Sequence, residues 1–141
     1  MDLERAINIA VEAHAGQKDK AGEPYVLHPL RMMFALKSEE ERIVAVLHDV
    51  VEDCDGWSFD RLEAEGFAPA ILEALDRVTK REGEDYMTFV RRAGENPKSR
   101  AVKMADLADN MDLARIAEPS AGDHERIARY REACAYLSSL K

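Results

Sequence analysis

Three features of the sequence predict an all-α fold. Apolar residues recur at three- and four-residue intervals along most of the chain, no stretch alternates apolar and polar positions with β-branched enrichment, and cap and stop residues punctuate the periodic runs at helical spacing. Together they predict a compact bundle of about seven to eight helices.

Each element has a local justification. Asp2 can cap a first helix carrying Leu3, Ala6, Ile7, Ala10 and Val11, and Gly16 stops it. A loop then leads to His28, and Pro29 suits the first turn of a short second helix ending near Leu36. Ser38, with Glu41 three residues later, is a capping-box signature for a third helix holding Ile43, Val44, Val46, Leu47, Val50 and Val51; Asp53, Cys54, Asp55 and Gly56 mark its end. Ser58 opens a brief fourth helix that Gly66 stops, and Pro69 begins a fifth with Ile71, Leu72, Leu75 and Val78. Gly83 breaks the chain, residues 85–93 form a sixth helix, and Gly94-Glu95-Asn96-Pro97 reads as a turn. Two long helices follow, about 99–117 and 123–140.

The 141 residues fit one domain, 1–141, and 46% hydrophobic with 34% charged residues describes a soluble globular chain. The opening Met1-Asp2-Leu3-Glu4-Arg5 lacks the basic start and apolar run of a signal peptide, and no later run reaches the roughly 20 apolar residues that span a bilayer. A cytoplasmic protein without a membrane partner is the expectation. Cys54 and Cys134 are far apart and outside any C-x-x-C pattern, which predicts neither a disulfide framework nor a thiolate metal site. A net charge of −8 argues against a nucleic-acid polymer as partner, whereas a small anion needs only a local group of lysines and arginines. The apolar content does not exceed what one core can absorb, so it does not set an oligomeric state.

The chemistry is concentrated on two helices. His48, Asp49, Glu52 and Asp53 stand at i, i+1, i+4 and i+5, which puts an imidazole and three acids on one narrow stripe flanked by Ala45, Val46, Val50 and Val51. A solvated helix face is the bland alternative. Against it, acids near a helix C-terminus oppose the macrodipole, and clustered carboxylates in an apolar setting raise one another's pKa unless a cation joins them. Farther along, Lys103, Asp106 and Asn110 share a stripe on a helix whose other sides carry Val102, Met104, Leu107 and Met111, so Asp106 is a carboxylate in need of a partner. A mixed imidazole and carboxylate set suits Mn²⁺, Fe²⁺ or Zn²⁺, any of which lowers the pKa of a water it holds.

Four segments now stand in order: Ala13-His14-Ala15-Gly16-Gln17, Gly22-Glu23-Pro24-Tyr25-Val26-Leu27-His28-Pro29, Leu47-His48-Asp49-Val50-Val51-Glu52-Asp53, and Val102-Lys103-Met104-Ala105-Asp106-Leu107-Ala108-Asp109-Asn110. In this order they resemble the HD-domain hydrolases of the RelA/SpoT group, and in particular the small stand-alone alarmone hydrolases, over nearly the whole chain. The resemblance implies an HD-domain helical bundle and a Mn²⁺-dependent 3′-pyrophosphohydrolase of ppGpp and pppGpp. It implies His28, His48, Asp49 and Asp106 as metal ligands, with Glu52 and Asp53 as the catalytic acidic pair, Glu52 being the expected base. It places Lys20, Asn110, Arg126 and Tyr130 at nucleotide contacts, and Lys103, on the Asp106 stripe, joins them as a candidate substrate-binding residue.

Two positions depart from the family pattern. Asp19 replaces an arginine beside Lys20, and Leu113 stands where a small hydroxyl residue is usual. Asp19 motivates a second reading, in which the same metal centre serves another nucleotide or phosphoester. A third, of a different class, is a non-catalytic module that keeps a nucleotide or metal pocket for regulation. With no residues after Lys141 to form a synthetase domain, the chain is expected to carry the hydrolase function alone.

Overall fold

In the computed structural model, which describes residues 1–112, 116 and 118–140, Asp2 does cap the first helix: its side chain accepts the Arg5 N–H at 3.0 Å. The helix α1 (Leu3–Ala13) ends at His14, and a loop pinned by one isolated bridge between Lys18 and Pro24 leads to α2 (Leu27–Ala35). The capping box forms as predicted, with Ser38 Oγ accepting the Glu41 N–H at 3.1 Å, and it opens α3 (Glu39–Leu47). Then come α4 (Val50–Asp53), α5 (Phe59–Glu65), stopped by a left-handed Gly66 at φ 100°, and α6 (Pro69–Arg77) with its proline in the first turn. The chain closes with α7 (Tyr86–Gly94), α8 (Pro97–Asn110) and α9 (Ala121–Ser139). All the elements among the described residues are helical, as expected, and none of these helices is long and apolar enough to cross a membrane.

Three boundaries differ from the expectation. The helix predicted to run from Ser38 past Val51 is broken at His48 and Asp49, where Asp49 sits at φ −106°, ψ 0°. The cause is local. The carbonyl of Ala45, which a continuous helix offers to the Asp49 N–H, receives the His48 N–H at 3.4 Å and lies 2.7 Å from His48 Nδ1. The turn at 94–97 is tighter than expected: Gly94 closes α7, and the Asn96 side chain caps α8 by accepting from Lys98 N at 2.8 Å, so α8 begins at Pro97. At its other end α8 stops at Asn110 with Met111 as cap, short of the predicted 117. Leu113 and Ala117 lie outside the described residues.

The core explains why α3 can carry a polar site. Ile43, Val44, Ala45, Val46 and Leu47 are all buried, because α3 packs against α1, α2, α6 and α8 at once. Each buried isoleucine, valine or leucine side chain among them contributes about 1.5–3 kcal/mol. A second, smaller apolar cluster of Val90, Leu107, Ala133 and Leu137 joins α7, α8 and α9. The helix α8 belongs to both, through Val102 on one side and Leu107 on the other.

Candidate metal centre and adjoining cleft

His28 enters from the start of α2, His48 and Asp49 from the break between α3 and α4, and Asp106 from the middle of α8. Their heads meet. His28, His48 and Asp49 present donor atoms that all lie within 4.8 Å of one another, and the two imidazole centroids are 5.2 Å apart. Asp106 Oδ1 lies 3.0 Å from His28 Nε2 and 3.6 Å from His48 Nε2, while Asp49 Oδ2 lies 2.9 Å from His48 Nε2. The helix break makes this convergence possible, since on a straight helix neighbouring side chains diverge by about 100°.

The outer nitrogens define the rings. His48 Nδ1 faces the Ala45 carbonyl at 2.7 Å and His28 Nδ1 faces Asp109 Oδ2 at 2.6 Å. Both partners can only accept, so Nδ1 carries the hydrogen in each ring and Nε2 is the nitrogen left for coordination. The carboxylates are held as well. The Tyr25 hydroxyl donates to Asp49 Oδ2, Lys103 Nζ to Asp106 Oδ2 at 3.0 Å, and Asn110 Nδ2 to Asp106 Oδ1 at 2.9 Å.

The electrostatics follow from burying these opposite charges together. Burial works against protonation of both imidazoles, yet Asp106 with Asp109 around His28, and Asp49 with Asp106 around His48, raise both pKa values above the ordinary imidazole value. Burial would raise the Asp106 pKa, but Lys103 and the two histidines hold it well below the usual carboxylate range. Two neutral imidazoles and two carboxylates are a donor set that fits a divalent metal ion.

Glu52 and Asp53 stand exposed at the rim of this cleft, which has a volume of about 200 Å³. Desolvation within the cleft, with Asp49 adding to it, raises both of their carboxyl pKa values. Glu52 is also tethered, its Oε2 accepting the Lys80 backbone N–H at 3.4 Å.

A larger cleft of about 300 Å³ adjoins the first and shares Tyr25, His28 and Asn110 with it. Lys20, Arg126 and Tyr130, which the sequence puts forward as nucleotide contacts, all line it. Lys20 and Arg126 both reach Asp123, with Lys20 Nζ at 3.2 Å from Oδ1. Tyr130 also leans toward Tyr86, ring centroids 6.4 Å apart. Lys103 borders the smaller cleft instead, buried over the Phe89 ring at 4.5 Å with its ammonium committed to Asp106. Asp19, also on the larger cleft, accepts the N–H groups of Ala21 at 2.9 Å and Glu23 at 3.0 Å, so its carboxylate shapes the loop.

Sequence reasoning assigned no role to Tyr25, Arg31 or Asp109, although Tyr25 and Asp109 touch the centre and Arg31 reaches it through Asp109. One signal was available: Arg31 follows His28 by three residues and Asp109 follows Asp106 by three, so opposite charges repeat one spacing on two helices.

Residues 6–123 match the HD domain family, and the chain belongs to it. Among similar proteins, guanosine-3′,5′-bis(diphosphate) 3′-pyrophosphohydrolase of Aquifex aeolicus is 31% identical over 78% of this chain and 17% of its own length. The protein of the same name from Vibrio cholerae is 30% identical over 90% of this chain and 20% of its own length. The chain therefore spans about a fifth of the length of these curated relatives. In three dimensions it is similar to a metazoan ortholog of SpoT described as hydrolysing ppGpp and playing a role in starvation responses, with TM-score 0.77, 22% identity and coverage of 97% of this chain and 85% of that one. That likeness shows the fold.

Proposed function

We propose that this chain is a metal-dependent phosphohydrolase that removes pyrophosphate from the 3′ position of ppGpp-type alarmones, with Mn²⁺ as its metal. The observation that carries the reading is the meeting of His28, His48 and Asp49 within 4.8 Å, closed by Asp106, at the mouth of a second cleft lined by Lys20, Arg126 and Tyr130. The names of the Aquifex and Vibrio relatives support the substrate class.

In this reading His28 and His48 through Nε2, with Asp49 and Asp106, hold the metal. When bound, a divalent cation supplies Lewis acidity toward phosphoryl oxygens and lowers the pKa of a water beside it. Glu52 takes the proton from the attacking water, and its raised pKa suits a base that must hold that proton briefly. Asp53, the next acid on the rim, serves as its partner. Tyr25 and Lys103 orient Asp49 and Asp106; the amide of Asn110, placed between the clefts, reaches substrate from Asp106. Lys20 and Arg126 face the phosphates, and Tyr130 offers a ring for the base to stack on.

The test is to strip the protein with chelator, restore it with Mn²⁺, and measure pyrophosphate release from ppGpp. Release that depends on the metal is the expected result. Asp19, which puts a carboxylate on the nucleotide cleft, favours a second reading in which the same centre acts on another nucleotide or phosphoester. No release from ppGpp, together with orthophosphate from another nucleotide in the same panel, selects that reading.

A further inference from the structure

Arg31 stands three residues after His28 on α2, and Asp109 three residues after Asp106 on α8, so each pair shares a helix face. Where the two faces meet, the guanidinium grips the carboxylate as a fork: Arg31 Nε donates to Asp109 Oδ1 at 2.8 Å and Nη2 to Oδ2 at 3.1 Å. The same Oδ2 lies 2.6 Å from His28 Nδ1. Asp109 has only 11% of its side chain exposed, so water competes little for these bonds. Asp109 therefore stands behind His28, opposite the metal position.

We propose that Asp109, clamped by Arg31, is a positioning residue that fixes the His28 ring with Nε2 toward the metal. The inference rests on the reading of His28 as a ligand. A carboxylate oxygen can only accept, so it requires the hydrogen on Nδ1 and leaves the Nε2 lone pair for coordination. It also resists a half-turn of the ring, which would replace Nε2 by a carbon. Arg31 holds both carboxylate oxygens, which keeps Asp109 from rotating toward the centre, and cancels its charge, so the pair adds no net anion beside Asp106. Partners of this kind typically change metal affinity by about 10–100-fold.

The experiment titrates Mn²⁺ into metal-free protein and follows the free ion by electron paramagnetic resonance. Asp109→Asn is expected to weaken Mn²⁺ binding by about 10–100-fold with circular dichroism unchanged, Arg31→Met by a smaller factor, and Asp109→Glu to recover part of the loss. In Zn²⁺-loaded wild type, nitrogen NMR is expected to show His28 coordinated through Nε2 with a hydrogen on Nδ1. Folded Asp109→Asn that binds Mn²⁺ within about twofold of wild type overturns the inference while leaving the metal centre standing. If that variant does not fold, the wild-type spectra decide, since coordination through Nδ1 overturns it and coordination through Nε2 sustains it. Wild type that binds no divalent ion removes the metal-centre reading itself, a result distinguishable because it needs no variant.

Discussion

Glu52 and Asp53 differ from the other acids of the centre in standing exposed at its rim, each with its pKa raised by desolvation and by Asp49. Glu52→Gln keeps the shape and removes the proton acceptor. It is expected to lower turnover by about 10²–10⁴-fold while metal content, measured by elemental analysis, stays at the wild-type level. Equal turnover would take the base role from Glu52, and equal inertness of both proteins would favour a binding module. The centre was partly legible residue by residue. His48, Asp49 and Asp106 stood out because ionisable groups on otherwise apolar helices need partners, whereas His28 was reached through the resemblance alone. Tyr25 and Asp109 were not legible, because their contacts join residues 24 and 81 positions apart, and nothing in either neighbourhood specifies the other.

Helix boundaries followed the local chemistry of caps. Asp2, Ser38, Ser58 and Gly66 act where the sequence placed them, because each satisfies or ends a backbone ladder with atoms within a few residues. The break at His48 escaped notice, since it depends on a ring orientation that the surrounding helices hold. At the junction of α6 and α7, Arg92 ties three pieces of chain together. It donates to the Asp76 carbonyl at 2.6 Å, the Thr79 carbonyl at 2.8 Å and both oxygens of Glu84, the shorter contact at 2.8 Å. The guanidinium lowers the Glu84 pKa in the folded state, so this pair stabilises the protein above the unfolded carboxyl value, about 4.3, and is lost as pH falls through the folded value. Glu84→Gln should therefore melt below wild type near neutrality, with the gap closing in acid. A gap that is constant across pH would show that the ion pair carries none of the stability.

At the scale of the molecule, the proposed metal reading sets protons and metal in competition for one centre. His28 and His48 have folded pKa values above the ordinary one of about 6.5, so in metal-free protein their stabilising contribution is fully present below that value and is lost as pH rises through the folded values. Metal binding runs the other way, because it needs the imidazoles deprotonated. Mn²⁺ at one hundred times its Kd adds about 2.7 kcal/mol. The Tm difference between loaded and metal-free protein is expected to widen as pH rises from about 6 to 8, by scanning calorimetry. A difference that narrows over that range would mean the ion binds elsewhere. The sequence could not show this competition, which arises only when charges from α2, α3 and α8 are buried together.

Among the described residues the two apolar clusters share α7 and α8, whereas α9 belongs to the smaller one alone, and in the proposed reading this separates the holding of an ion from the holding of a nucleotide. The cluster of His28, His48, Asp49 and Asp106 rests on α2, α3 and α8 in the main core, whereas Arg126, Ile127 and Tyr130, one wall of the larger cleft, ride on α9, which is seated by the lesser cluster. Amide hydrogens of α9 are therefore expected to exchange with solvent sooner than those of α3, and a nucleotide joining Lys20 to Arg126 should slow them most. On the proposed reading, a spent ligand can leave by the loosening of one wall while the ion stays where it is.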